Sequence, residues 1–247
     1  MKIKGILFDK DGTILKFHGL WPQVLKQLVK NICNRYRVKN EAELTHQLLS
    51  SIGVTETEIL PNGIFASGTT DDIAESFLEV LKKNDIIEEK ERLKQYLEKE
   101  LVQLVKEQKH LIFPTADLHD LFSNLKKKGI KLGIATADDY DITMICLKAL
   151  NVTDYFDFIG TSDFYEKKPS PHMFQVFCEK FNLASKEVAM VGDNLVDMQF
   201  ASNSQAGLKV GVLTGTSLIE DLANESDYVI EHIGKLFENG SFLWEAS

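Results

Sequence analysis

The sequence predicts an α/β fold in which a helical module is inserted into a parallel-sheet domain. Residues 3–8 form an apolar run with the pattern of a buried strand. About a hundred residues with only helical periodicity follow, and from Phe113 onward short apolar runs alternate with helical patterns. Strands that alternate with helices are typical of parallel sheets with right-handed crossovers. We therefore predict an α/β core domain from residues 1–15 and 113–247, interrupted by a helical domain at residues 16–112.

The composition argues against several function classes. The 247 residues suffice for one large domain or for a core with an insert. A net charge of −9 and the lack of a basic stripe argue against nucleic acid and anionic membranes as partners. No stretch approaches the ~20 apolar residues of a membrane span, and charged residues interrupt the first apolar run too early for a signal peptide. We therefore expect a cytoplasmic protein, with reduced core thiols at its three cysteines, Cys33, Cys146 and Cys178.

The inserted module should contain four helices and no strand. Apolar residues recur at helical spacing in residues 21–32, 41–49, 73–81 and 93–105. Plausible N-caps for the third helix are Thr70, Asp71 and Asp72. Residues 61–69 form a loop that suits ligand binding and plain connection about equally well.

In the second part of the chain, polar side chains follow the predicted strands. Thr136 follows strand residues 131–135, and Asp193 and Asp197 come shortly after strand residues 188–191. Further strands are predicted at residues 158–160, 210–213 and 228–230, and Lys167 and Lys168 lie between Thr136 and Asp193. The C-terminal ends of parallel strands meet at one edge of the sheet, where open α/β folds bind ligands. We therefore expect these side chains to converge with the two acids that follow the first strand, Asp9 and Asp11.

The residue types at this edge favour a metal-assisted phosphoryl site. Four carboxylates would repel one another strongly unless a cation lay among them. Ligands that are all oxygen favour Mg²⁺. A lysine and a hydroxyl beside Mg²⁺ suit a phosphoryl group, because the cations offset its charge and the hydroxyl donates to an oxygen. Taken singly, Asp11-Gly12 also fits a turn and Asp193-Asn194 a helix cap, but neither explains why several strand ends carry such groups at once.

Together and in this order, the motifs resemble those of the haloacid dehalogenase superfamily of phosphohydrolases. Its first motif is similar to Asp9-Lys10-Asp11-Gly12-Thr13 and its second to Thr136 after Gly133-Ile134-Ala135. Lys168 before Pro169 is similar to the third motif, and Gly192-Asp193 with Asp197 to the fourth. The resemblance covers residues 1 to about 15 and about 113 to 235. It implies a Rossmann-like core in which the helical module is a cap, as in phosphoglycolate-phosphatase-like members.

The resemblance also implies a role for each residue. Asp9 is the nucleophile that forms an aspartyl-phosphate, and Asp11 is the general acid and then the base. Mg²⁺ is held by Asp9, the backbone carbonyl of Asp11, and Asp193, with Asp197 in a supporting position. The phosphoryl oxygens are held by Thr136 and by Lys168, which is favoured over Lys167 because it directly precedes Pro169.

Two positions depart from the family pattern. Ala137 follows Thr136 where many phosphoglycolate-phosphatase-like members carry asparagine, which weakens any transfer of that specificity. Lys10 stands where an apolar residue is commoner, at a position that tolerates variation. Asp138 or Asp139 fits the N-cap of the next helix.

The expected function is that of a Mg²⁺-dependent phosphatase of a small phosphorylated metabolite, such as phosphoglycolate or a sugar phosphate. The alternatives are a phosphomutase on the same fold and a non-catalytic binding or regulatory protein. Nucleoside monophosphates and pyrophosphate are also open as substrates. We expect substrate contacts in residues 62–69 and near residues 13–21, and both a monomer and a homodimer are compatible with the sequence.

Overall fold

A six-stranded parallel sheet forms the centre of one of two compact units. The computed structural model describes residues 2–55, 58–238 and 240–245. The strands are β1 (Gly5–Phe8), β2 (Lys131–Ala135), β3 (Phe158–Gly160), β4 (Val188–Gly192), β5 (Leu208–Val212) and β6 (Tyr228–Ile230). Their spatial order is β3-β2-β1-β4-β5-β6, and all neighbours pair in parallel. The predicted α/β fold is confirmed.

The central position of β1 follows from its apolar sequence. The strand pairs with β2 on one side and β4 on the other, so that Leu7 lies between Gly133 and Met190. Successive side chains of a strand point to opposite faces of the sheet. Accordingly, Ile6 and Phe8 belong to one core cluster and Leu7 to another. A strand buried on both faces needs a continuous apolar run, which is the pattern that predicted it.

The first unit consists of Met1–His18 and Ile112–Ser247, and the second of Gly19–Leu111. The described residues of the second unit contain no strand, although an isolated bridge joins Val54 and Ile59. A short helix lies inside the segment predicted as a loop at residues 61–69. The helices within residues 17–107 are α1 (Phe17–Arg35), α2 (Glu41–Ser51), α3 (Ile64–Ser67), α4 (Thr70–Lys83) and α5 (Lys90–Glu107).

The N-cap of α4 is Thr69, so the prediction of Thr70, Asp71 or Asp72 is wrong. The Thr69 hydroxyl accepts a hydrogen bond from the Asp72 N–H at 3.3 Å, and the Asp72 carboxylate accepts one from the Thr69 N–H at 2.9 Å. This capping box satisfies two backbone donors at once. Asp71 instead links two helices, because the Nζ of Lys90 on α5 lies 3.0 Å from its carboxylate.

Helices cover both faces of the sheet in the first unit. These helices are α6 (Leu118–Lys127), α7 (Tyr140–Ala149), α8 (His172–Phe181) and α9 (Leu195–Asn203). Leu147 of α7 and several residues of α6 pack in the cluster of Phe8, where the ring centroids of Phe122 and Phe8 lie 5.6 Å apart in an edge-on arrangement. Residues of α8 and α9 pack in the cluster of Leu7. The chain continues with α10 (Ile219–Leu222) and with β7 (Phe237–Glu238) and β8 (Ser241–Phe242), which pair antiparallel. Single 3₁₀ turns cover Lys109–Leu111, Thr153–Tyr155, Ser185–Glu187, Ile233–Leu236 and Leu243–Glu245.

Two further expectations concern the cysteines and membrane-spanning segments. Cys33, Cys146 and Cys178 are free and buried, as predicted. None of the described helices combines the length and the hydropathy that crossing a lipid bilayer requires.

Candidate active site

The candidate site lies at the C-terminal edge of the sheet, between β1 and β4. The chain adds β2 and β3 on one side of β1 and β4 to β6 on the other, so the strand order reverses at this point. Such reversals open the crevice in which α/β folds bind ligands. Asp9 directly follows β1 and Asp193 directly follows β4. The Asp9 N–H donates to the Val191 carbonyl at 2.8 Å, which holds the two strand ends together.

Three carboxylates and one lysine converge in this crevice. Asp9, Asp193 and Asp197 are buried, and each offers an oxygen within 4.8 Å of the others. The Nζ of the buried Lys168 lies 2.7 Å from Asp9 Oδ1 and 2.6 Å from Asp197 Oδ1. The structure therefore brings together four of the six predicted side chains.

Asp197 is held from two directions. It lies in the first turn of α9, whose N-cap is Asn194. One carboxylate oxygen accepts a hydrogen bond from Lys168, and the other accepts one from the Asn194 N–H at 3.1 Å. Both oxygens of Asp197 are thus engaged, and the helix start fixes the position of Lys168 through this carboxylate.

Asp193 lies against the backbone of two glycines, Gly12 and Gly215. Its Oδ2 accepts a hydrogen bond from the Thr216 N–H at 2.9 Å. A Cβ built on Gly215 would lie 1.7 Å from the same oxygen. A Cβ on Gly12, which has a positive φ of 78°, would lie 2.7 Å from Asp193 Cγ. Only glycine permits this close approach and, at residue 12, this backbone conformation.

The electrostatics of the crevice indicate an excess of negative charge. Burial raises the pKa of Asp9 to about 7, against the opposing effect of Lys168 and with a further rise from Asp197. Burial and the charges of Asp9 and Asp197 hold the pKa of Asp193 well above its ordinary range. Lys168 offsets only part of this charge. A hard divalent cation such as Mg²⁺ fits these buried, all-oxygen donors, because it would favour their ionised forms.

The two remaining predicted residues lie at neighbouring strand ends. Thr136 follows β2, is buried, and donates its N–H to the Gly160 carbonyl at 3.0 Å. Its hydroxyl accepts a hydrogen bond from the Asp138 N–H at 3.2 Å. The Asp11 carboxylate is not among the three clustered carboxylates, because it forms an ion pair with the Lys10 ammonium.

Lys10 and Asp138 form a contact that the sequence analysis did not predict. The Lys10 side chain is fully buried, and its Nζ lies 2.8 Å from Asp138 Oδ2. Burial alone lowers the pKa of Lys10, but the two carboxylates, Asp11 and Asp138, outweigh it and raise the pKa well above its ordinary value. The sequence did contain a clue to this contact. Lys10 stands at a motif position where an apolar residue is commoner, and an ammonium buried at such a position needs an acidic partner.

The prediction that Asp138 or Asp139 lies at the N-cap of α7 is confirmed for Asp139, although not the side-chain hydrogen bond that a cap usually makes. The first N–H of α7, that of Tyr140, donates to the carboxylate of Asp163 at 3.2 Å. Asp138 is instead directed to Lys10, a pairing that becomes visible only when β1 and β2 are adjacent.

Comparisons with known proteins agree with this geometry. Residues 3–205 match the family model described as haloacid dehalogenase-like hydrolase. A phosphoglycolate phosphatase of Neisseria meningitidis serogroup A is 33% identical over 120 residues, which cover 47% of this chain and 51% of that protein. The chain thus matches about half the length of that relative. The pyrophosphatase PpaX of Listeria monocytogenes serotype 4a is 26% identical over 241 residues, or 95% of both chains.

A solved structure supports the fold. The crystal structure of a predicted phosphoglycolate phosphatase from Haemophilus somnus superposes with a TM-score of 0.72 at 18% identity, covering 96% of this chain and 97% of that one. Because the family model spans most of the chain, the resemblance stated from the motifs is confirmed, as is the predicted class of hydrolase. The chain belongs to the haloacid dehalogenase-like hydrolase family.

Proposed function

We propose that the protein is a Mg²⁺-dependent phosphatase that hydrolyses a small phosphorylated metabolite through an aspartyl-phosphate on Asp9. The observation that carries the proposal is the crevice in which Lys168 contacts Asp9 beside two further buried carboxylates. Family membership and the names of the relatives support a phosphoric monoester hydrolase.

Mg²⁺ would be held by the carboxylates of Asp9 and Asp193 and by the backbone carbonyl of Asp11. When bound, the ion would offset the charge of the phosphoryl group and of the carboxylates. Asp197 supports the site indirectly, because its two oxygens are occupied by Lys168 and by the Asn194 N–H.

The reaction divides into two displacements at phosphorus. In the first, a carboxylate oxygen of Asp9 attacks phosphorus, the bond to the leaving oxygen breaks, and Asp11 gives that oxygen its proton, so that an alcohol departs. In the second, Asp11 takes a proton from water as the water oxygen attacks phosphorus. The bond to Asp9 then breaks, which releases inorganic phosphate and restores both carboxyl groups.

Lys168 and Thr136 are proposed to bind the phosphoryl oxygens. Lys168 Nζ lies 2.7 Å from the nucleophilic carboxylate of Asp9, so a phosphoryl group that bonds to Asp9 comes within reach of the ammonium. The charge-assisted hydrogen bond grows stronger as negative charge develops on phosphorus. Thr136 offers a hydroxyl at the end of the strand next to β1.

The helical unit is proposed to be the cap that selects the substrate, with contacts in residues 62–69 and near residues 13–21. Exchange of residues 62–69 should then change the substrate profile while leaving metal dependence intact. An unchanged profile would reject this assignment. Pyrophosphate is a second candidate substrate, because the relatives that match 95% of this chain are pyrophosphatases.

The test is phosphate release from a panel of 2-phosphoglycolate, glucose phosphates, nucleoside monophosphates and pyrophosphate, with Mg²⁺ and with EDTA. Wild type is compared with Asp9→Asn and with a matched control at an exposed aspartate, Asp85→Asn. We expect release that requires Mg²⁺, persists in the control and is abolished in Asp9→Asn. Release that survives in Asp9→Asn would overturn the proposed nucleophile.

Failure to release phosphate from any compound would overturn the phosphatase proposal. Interconversion of glucose 1-phosphate and glucose 6-phosphate would then identify a phosphomutase. Absence of both activities would favour a binding or regulatory protein.

A further inference from the structure

Lys10 and Asp138 have no part in the chemistry proposed above, although Lys10 forms an ion pair with Asp11, the proposed general acid. Lys10 stands between the nucleophile and the general acid in the sequence, and its side chain is fully buried. Its Nζ contacts the Asp11 carboxylate, lies 2.8 Å from Asp138 Oδ2, and lies 3.9 Å from Cys146 Sγ. Its carbonyl accepts the N–H groups of Ile14 and Leu15 at 2.9 and 3.1 Å, so the turn that carries it is also fixed.

The two acidic partners of Lys10 compensate the charge of its buried ammonium. Removing a lysine from water is unfavourable unless acidic groups compensate. The side chains of Asp11 and Asp138 are themselves only 16% and 22% exposed. The three groups therefore form one charged cluster, in which each carboxylate restrains the lysine and the lysine restrains both carboxylates.

The two aspartates of the first motif are held in parallel ways. Lys168 bridges Asp9 to Asp197, and Lys10 bridges Asp11 to Asp138. In each case a buried lysine connects a residue of the proposed chemistry to a carboxylate further along the chain. Asp197 is in turn fixed by a helix start, and Asp138 donates its N–H to the hydroxyl of Thr136.

We propose that Lys10 and Asp138 are positioning residues that hold the Asp11 carboxyl group in the orientation needed to protonate the leaving oxygen. This inference rests on the proposed function. A general acid must lie within hydrogen-bond reach of the atom it protonates. The ion pair restricts the rotamers of Asp11 before the substrate binds. Asp138 keeps the ammonium compensated when Asp11 carries a proton.

The test separates acid catalysis from general damage by the choice of leaving group. The measured quantity is kcat/KM, which covers the steps up to departure of the leaving group. One substrate is the best alkyl phosphate from the panel above, whose leaving oxygen needs a proton. The other is p-nitrophenyl phosphate, whose leaving group departs as a stable anion.

For Lys10→Met we expect kcat/KM to fall about 10- to 100-fold on the alkyl phosphate, the range found when a supporting partner of a site residue is removed. On p-nitrophenyl phosphate it should fall about 3-fold or less, because acid catalysis contributes little there. Asp138→Asn should show a smaller loss with the same dependence on the leaving group. Asp11→Asn gives the reference pattern, and Lys148→Met, at an exposed lysine on α7, is the control and should match wild type.

Equal losses on both substrates, or no loss on either, would overturn the inference, because a purely structural role does not distinguish leaving groups. If Lys10→Met does not fold, as judged by thermal melting, Asp138→Asn decides the question by the same ratio. A wild-type protein without activity on either substrate would reject the proposed function itself and the inference with it. An active wild type with an unselective Lys10→Met would reject only the inference.

Discussion

Replacing Asp9 by asparagine should stabilise the metal-free protein at high pH, even though it abolishes the proposed activity. Burial and neighbouring charge raise the pKa of Asp9 from 3.8 to about 7. The folded protein therefore binds this proton more tightly than the unfolded chain does. The resulting stability is fully present below about pH 3.8 and is lost as the pH rises through about 7.

The magnitude follows from the size of the shift. Each pKa unit corresponds to about 1.4 kcal/mol, so the rise of roughly three units corresponds to about 4 kcal/mol over the full range. Most of this, about 3 kcal/mol, is lost between pH 5 and pH 8. Asparagine keeps a side-chain oxygen that accepts the Lys168 hydrogen bond but carries no charge, so the variant lacks this component of the pH dependence.

The assay is urea denaturation of both proteins in EDTA at pH 5 and pH 8. From pH 5 to pH 8, the free energy of unfolding of wild type should fall by about 3 kcal/mol more than that of Asp9→Asn. Added Mg²⁺ should restore much of the wild-type stability at pH 8 and act less on the variant. Asp85→Asn, at an exposed carboxylate, should follow wild type. Parallel losses in wild type and Asp9→Asn would refute the argument that Asp9 is destabilised when ionised.

Two further substitutions test particular contacts. Gly215→Ala places a Cβ 1.7 Å from Asp193 Oδ2 and should displace this carboxylate. We therefore expect Mg²⁺-dependent activity to fall about 10- to 100-fold. The control is Gly211→Ala, whose Cβ has its nearest contact at 3.0 Å. Wild-type activity in Gly215→Ala would show that Asp193 is not needed in its present position. Thr69→Ala removes the N-cap of α4 and should lower the free energy of unfolding by about 1 kcal/mol, whereas Thr69→Ser should retain it; equal unfolding curves for all three proteins would contradict the capping role.

The sheet and the convergence of most candidate side chains were predictable because the sequence patterns that indicate them are local. β1 is buried on both faces, so its sequence is a continuous apolar run. Asp9 and Asp193 directly follow strands, and the parallel arrangement brings such strand ends to one edge. The predicted convergence of Asp9, Lys168, Asp193 and Asp197 therefore needed only the order of strands and helices.

The starts of α4 and α7 show two different limits of reasoning from local sequence. At α4 the correct pattern was present in the sequence, since Thr69 and Asp72 have the spacing of a capping box. The error came from placing the helix start one residue late. At α7 the predicted Asp139 does lie at the N-cap, but the N–H of Tyr140 donates to the carboxylate of Asp163, which lies more than twenty residues away.

The pairing of Lys10 with Asp138 was beyond local reasoning. The two residues are separated by the whole helical unit and become neighbours only because β1 and β2 are adjacent. A side chain that interrupts a family pattern within a buried turn is a reason to search the neighbouring strand ends for a compensating charge.

The central place of β1 also has a kinetic consequence. β1 is made first, yet its sheet partners β2 and β4 begin at Lys131 and Val188. At a synthesis rate of about 5–20 residues per second, the second partner follows roughly 10–40 s after the strand itself. Until β2 has been made, the apolar residues of β1 have no sheet neighbour, whereas the intervening helical unit is contiguous in sequence. Sheet assembly therefore closes loops of more than a hundred residues, a topology that folds slowly because the entropy of loop closure must be overcome first.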